Sequence, residues 1–378
     1  MRHAVNAAAV ALLVTGLVPA DLVKAEGAAS DALGLPAVTV QPPELVALGR
    51  RLFMDRRLSA NGTMSCGMCH VPEQAFSHNG TATAVGLNGK SLRRNAPSLL
   101  NVAFQERLFH DGRESILEKQ VLAPLLAADE MGNQTVQEVL DRVAALADYA
   151  QSFERAFAGP PSVDTLARAI AGYERTLISG GSRFDRWRYA GEPALDAREQ
   201  RGFSLFTGKA RCSSCHTVGQ YSALFTDGLF HNTGLPETPP KRHHVQLAPG
   251  VEIEVADADL RSVSEPWRED LGRFEVTGNE GDRRAFKTPS LRNVALSAPY
   301  MHDGSLMSLE QVVEFYDQGG GNAAGKDPLL HPLGLSLKDK QAIAAFLRTL
   351  TGDNVTELAR AAREAAAEGG EGPIKAVR

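Results

Sequence analysis

The sequence predicts a mainly α-helical chain built as two tandem domains of one design, with long loops and little β structure. Three observations predict it. A set of segments occurs twice in the same order. All four cysteines fall in two short motifs. Apolar residues recur at helical spacing, and strand signals are few.

The duplication is clearest downstream of each cysteine motif. Pro97-Ser98-Leu99-Leu100-Asn101-Val102-Ala103 answers Pro289-Ser290-Leu291-Arg292-Asn293-Val294-Ala295, and His110-Asp111-Gly112 answers His302-Asp303-Gly304. From the proline to the histidine is thirteen positions in both copies, and Glu118 and Glu310 each lie eight positions beyond the histidine. The copies imply domains at about residues 40–180 and 190–352. The second carries an insert around residues 219–285, rich in Gly, Pro and charge, that reads as surface loops.

The cysteine motifs say what the domains carry. Cys66-Gly67-Met68-Cys69-His70 and Cys212-Ser213-Ser214-Cys215-His216 have the CxxCH spacing of covalent c-type haem attachment. Two thiols reach the two vinyl groups of one porphyrin edge, and the next residue presents its imidazole to the iron. A thioredoxin-like CxxC has no use for the trailing histidine. A structural zinc site would require both motifs to share one ion. The expected fold is therefore a pair of cytochrome-c-like haem domains.

At 378 residues the chain is long enough for two cores. The net charge of -5 argues against a nucleic-acid surface. Arg2 and His3 precede a small apolar run from Ala4 to Ala20, and Val23-Lys24-Ala25 fits a small-x-small cleavage site. Residues 1–25 thus read as a secretory signal peptide. The expected mature protein is periplasmic, with no membrane span.

Each CxxCH motif follows an amphipathic stretch, Ala47–Phe53 and Arg198–Phe206. Helices are expected at Ser115–Leu126, Val136–Phe157, Val163–Ile178 and Leu337–Leu350. The segment 353–378, rich in Ala, Glu and Gly, reads as a flexible tail.

The halves differ where chemistry would. Fourteen positions beyond His302 lies Tyr316; the same step beyond His110 reaches Pro124. Tyrosine binds haem iron as phenolate and proline cannot. Tyr316 is a candidate sixth ligand of the His216 haem, or else a helix residue with its hydroxyl in water. Pro124 would leave the His70 haem open. Glu130 is a candidate acid–base group for peroxide heterolysis, or else a solvated charge. Gln120 could hold peroxide or water by hydrogen bonds.

The ordered segments GRRLFMDRRLS, RNAPSLLN, HDGR with EKQ, EMG, LFTGKARCSSCH, FHNTG, FKTPSLRNVALSAPYMHDGS and VVEFYDQGG resemble the bacterial dihaem cytochrome c peroxidase family, including its MauG branch. The resemblance covers about residues 44–352. It implies that Glu130 and Gln120 are the peroxidatic-site pair, with Pro124 beside them. It implies that Tyr316 occupies the second-haem ligand position, where the peroxidases have methionine and MauG-like proteins tyrosine. It also implies one calcium ion between the domains, held by the side-chain oxygen of Asn95 and the carbonyls of Ser297 and Pro299, an oxygen-only set. Two departures stand out. The displaceable histidine of the reductively activated peroxidases is matched by Leu87, with His78 a poor alternative. The inter-haem tryptophan is matched by His110, leaving Phe109 or Tyr300 to pack the gap; Trp187 and Trp267 lie elsewhere.

The expected activity is reduction of hydrogen peroxide at the open haem, with electrons drawn through the second haem from a protein donor or substrate, as in the MauG branch. A plain cytochrome c peroxidase served by a small c-type cytochrome or cupredoxin is the alternative enzyme. A dihaem electron carrier is the non-enzyme alternative. It would need a second histidine on the iron from His78, His110, His231 or His302.

Overall fold

The computed structural model describes residues 29–30, 33–235, 242–248, 251–256 and 269–368. The expected signal peptide and Trp267 lie outside them.

In the first half, α1 (Pro43–Met54) leads into α2 (Cys66–Cys69), which carries the first cysteine motif. After a long looped segment come α3 (Leu117–Gln120), α4 (Leu122–Leu126), α5 (Val136–Ala144), α6 (Ala147–Phe157) and α7 (Val163–Glu174). Helix α8 (Arg183–Tyr189) begins the second half. There α9 (Ala197–Thr207) precedes the second cysteine motif, and α10 (Phe274–Thr277), α11 (Leu309–Asp317) and α12 (Leu337–Arg348) follow it. Helix α13 (Val355–Glu368) ends the described chain.

The same packing recurs in both halves, and glycine permits it. Helix α1 crosses α7 at Gly49, where a Cβ would stand 1.8 Å from the Ala169 carbonyl oxygen and 2.9 Å from the Tyr173 Cβ. Helix α9 crosses α12 at Gly202, where a Cβ would stand 2.1 Å from the Ala342 oxygen and 2.7 Å from the Phe346 Cβ. No side chain fits at either crossing. The PSLxN segments dock alike too. Asn101 and Asn293 are both left-handed, and their N–H groups donate to the carbonyls of Leu177 (2.7 Å) and Leu350 (3.0 Å). Two apolar cores result, one around Phe53, Phe76, Tyr149 and Phe153, the other around Phe184, Phe206, Phe225 and Phe346.

Four expectations need correction. The stretch Ser115–Leu126 is two short helices, because Pro124 has no N–H to bond back to Gln120 and its ring crowds that carbonyl. The stretch Val136–Phe157 also breaks, at Leu146, which turns extended and packs on the first core. No glycine or proline marks that break, so tertiary packing sets it. The third correction is larger: the described part of the expected tail, residues 353–368, holds helix α13. Val355 and Ala362 are buried in the first core, the Arg50 guanidinium donates to the Ala361 carbonyl, and Arg363 pairs with Glu73 at 2.7 Å. The last described helix thus closes the first half.

The insert is not only loops. It contains an antiparallel hairpin, Arg242–Ala248 with Val251–Ala256. Its far end joins the halves: Asp270 receives the Arg94 guanidinium at 2.7 and 2.8 Å, Arg94 also reaches Asp111, and Arg273 donates to the Asp111 carbonyl.

Candidate functional site

A single cavity of about 790 Å³ runs through both halves. Six histidines line it, and each half contributes one of them from its CxxCH motif, His70 and His216. The motif turns close alike, with His70 N–H donating to the Cys66 carbonyl at 2.8 Å and His216 N–H to the Cys212 carbonyl at 2.9 Å. The His70 Nδ1–H then donates to the carbonyls of Phe76 and Pro97, both at 3.1 Å. The His216 Nδ1–H donates to the Phe225 carbonyl at 2.9 Å. Binding Nδ1 to backbone fixes the tautomer and leaves Nε2 free for iron. In the second half a buried pair supports this arrangement. Arg292 bonds Asp185 at 2.8 and 2.9 Å and the Ala223 carbonyl at 2.6 Å, anchoring the loop that carries Phe225.

All four cysteines are free thiols. Burial pushes Cys69 up to about 11 and Cys212 to about 12, so they are neutral and poor nucleophiles until modified. The first pair packs against the first core and Cys212 against the second. Among the described residues no grouping of ligand atoms joins the two motifs, so they do not share one ion. The fit to two covalent haems is good: a porphyrin-sized void, a free Nε2 on each side, and a thiol pair beside each histidine.

On the first side, Gln120, Pro124 and Glu130 all line the cavity. The Gln120 Oε1 is buried without a partner. Burial, and then the Asp129 charge, raise the Glu130 carboxyl above its ordinary value, against the pull of Arg113. Glu130 is therefore not the solvated charge that its type alone would favour. Leu87 donates its N–H to the Glu130 carbonyl at 3.3 Å and does not line the cavity. His78 faces Thr81 at 3.0 Å and does not line it either.

On the second side, Tyr316 of α11 lines the cavity, and burial pushes its phenol well above the ordinary value. His231 is fully engaged elsewhere: Nδ1 faces Asp327 at 2.6 Å and Nε2 faces Asp227 at 3.0 Å. The Cys215 sulfur and these two carboxylates hold its imidazolium up at about 10. Cys215, Asp227 and His231 are the one grouping of such atoms, among the described residues, close enough for a metal ion.

Between the sides, His110 is buried and burial pushes it down to about 4, so it is neutral; its Nε2–H donates to the Asn95 carbonyl at 2.9 Å. His302 stacks on Phe286, with centroids 3.8 Å apart. Lys287 donates to the Gln105 Oε1 at 2.8 Å, and burial lowers it to about 8. Phe286 and Lys287 escaped the sequence reading, although they open the FKTPSLRN segment. Asn95, Ser297 and Pro299 lie on this wall, and the Asn95 amide N–H donates to Ala82, leaving Oδ1 for another partner. Trp187 packs away from the cavity, on Phe184 and Phe203.

Residues 43–194 match the family model described as di-haem cytochrome c peroxidase. The methylamine utilization protein MauG of Methylorubrum extorquens is 38% identical, covering 83% of this chain and 80% of its own. Cytochrome c551 peroxidase of Pseudomonas aeruginosa is 33% identical, covering 81% and 78%. A solved MauG-like protein associated with microbial copper homeostasis is 35% identical, covers 83% of this chain and 91% of its own, and superposes with a TM-score of 0.68. These relatives are haem oxidoreductases, and the two histidines, two thiol pairs and shared cavity are the equipment of two c-type haems. The chain belongs to the di-haem cytochrome c peroxidase family.

Proposed function

We propose that this protein reduces hydrogen peroxide at the His70 haem and draws electrons through the His216 haem from a redox protein outside it, in the periplasm. The asymmetry of the one cavity carries the reading: Gln120, Pro124 and Glu130 stand on one side, Tyr316 on the other.

Bound haem supplies an iron that accepts peroxide and passes electrons to it. The chain's own residues do the rest. Cys66 and Cys69 would hold the first haem as thioethers, Cys212 and Cys215 the second, and His70 and His216 would each offer Nε2 to one iron. Pro124 offers no ligand atom. Gln120 Oε1 would accept a hydrogen bond from peroxide. Glu130 would take a proton from peroxide and return it to the oxygen that departs as water; its raised affinity for protons makes it the better base for the first transfer. Tyr316 would offer an anionic oxygen to the second haem, which would favour the ferric state and a low potential. Binding must offset the burial that keeps the free phenol protonated. Asn95, Ser297 and Pro299 hold one calcium ion at the domain junction.

Tyr316 and Leu87 favour the MauG-like form, which acts on peroxide in the diferric state and oxidises a protein. The alternative is a peroxidase served by a small c-type cytochrome or cupredoxin. The carrier reading would have to draw on His110 or His302, since His78 does not line the cavity and both nitrogens of His231 face aspartates.

The test is the visible spectrum of the diferric holoprotein after one equivalent of peroxide, without prior reduction. A fast high-valent spectrum is expected. No change until one electron is added would mean that a ligand blocks the first iron and that the protein is a reductively gated peroxidase.

A further inference from the structure

A second cavity, of about 290 Å³, lies beside the first haem site, where Val102, Gln105 and Leu108 face the start of α3 and the Glu118–Arg175 ion pair. The duplication explains why it exists. Leu108 corresponds to Tyr300: each is paired by a backbone bridge to a residue six positions on, Glu114 and Leu306 respectively. Glu118 corresponds to Glu310 and Arg175 to Arg348, and both ion pairs are made, each at 2.6 Å. In the second half the Tyr300 hydroxyl donates to the Val294 carbonyl at 3.0 Å and lies within the influence of Arg348 and Glu310. The bulkier Tyr300 ring thus stands where the first half has Leu108.

The cavity is partly open to solvent. Its wall is polar on one side, with a carboxylate acceptor and a guanidinium donor held in place, so it holds water rather than staying dry. It lies under Ile116, which is 44% exposed. Three of its lining residues, Val102, Gln105 and Leu108, also line the main cavity. The wall helix α3 carries Gln120, whose N–H bonds the Ile116 carbonyl and whose Oε1 lacks a partner.

We propose that this cavity is the entry port by which hydrogen peroxide, a small uncharged molecule that both donates and accepts hydrogen bonds, reaches the His70 haem. The inference rests on the reading of that haem as the peroxide site. The second half needs no port, because Tyr316 stands at its iron, and the bulkier Tyr300 stands at the equivalent position.

The experiment copies the closed half into the open one. In the holoprotein, Leu108→Tyr should slow association of carbon monoxide with the ferrous His70 haem, and of peroxide with the diferric protein, by on the order of tenfold. The spectrum of the bound state should not change. Ile116→Trp, at the exposed rim, repeats the test without entering the core and should slow both in the same direction. Parental association rates in the folded variants would overturn the port alone. A parent protein whose His70 haem takes up no carbon monoxide would overturn the open-site reading and the port with it.

Discussion

Fourteen residues beyond the HDG turn, the first half has Pro124 and the second Tyr316, and the difference reaches well past one side chain. With proline, the helix breaks into α3 and α4, and Gln120 sits at the break with an unpartnered oxygen. With tyrosine, α11 runs unbroken for nine residues and delivers the phenol to the cavity. Other pairs repeat the contrast. Leu108 lines a cavity where the second half has the larger Tyr300, and Leu100 stands where Arg292 grips Asp185. The second half thus has a ring and a buried ion pair at two positions where the first has leucine. A duplicated scaffold can divide labour in this way, with the filled copy holding a haem that only exchanges electrons and the open copy holding one that meets substrate.

The strongest way to break the comparison is Glu130→Gln. It keeps the shape and removes the proton transfer, so the rate of peroxide cleavage should fall by roughly 10²–10⁴-fold. Peroxide cleavage at the parental rate would remove the asymmetry's chemical meaning. The same residue sets the acid limb. Glu130 must be ionised to take a proton, and its affinity for protons is raised. The rate should therefore fall on acidification at a higher pH than an ordinary glutamate would give, and Glu130→Gln should lose that limb.

Tyr316→Phe attacks the other side. Losing an anionic ligand should raise the potential of the His216 haem by on the order of hundreds of millivolts. Potentiometric titration checks it. An unchanged potential would return Tyr316 to the role of an ordinary helix residue. The His70 haem should keep its peroxide reaction, which separates this variant from the first.

Much of this was legible in the sequence, because the repeat is a local record. The thirteen-residue steps, the two CxxCH motifs and the Pro124/Tyr316 mismatch need no tertiary information. What escaped depends on partners far along the chain. Asp270 and Glu275 sit in an insert that reads as surface loop, yet they meet Arg93 and Arg94 about 180 residues away. Helix α13 looks like a frayed tail until its alanines are seen packed on α1, at the opposite end of the sequence. The break at Leu146 has no residue to announce it.

The smallest effect tests a difference that lies outside both active centres. Helices α7 and α12 correspond, so Glu174 answers Leu347. Leu347 is an ordinary apolar residue of the second core. Glu174 is buried beside Cys66 with its Oε2 unpartnered, and burial raises it to about 8. The folded protein thus keeps a proton that the unfolded chain has released above the ordinary glutamate range. The pH-dependent part of its cost is absent below that range and grows as pH rises toward about 8. Glu174→Leu copies the second half. It should stabilise the fold by roughly 1–3 kcal/mol near neutrality, with the gain larger at about pH 8 than at about pH 6. Chemical denaturation of parent and variant at the two pH values reads it directly. A gain that does not grow with pH would mean that Glu174 is ionised and paired in the fold. The first half would then have solved its buried charge by a contact and not by holding on to a proton.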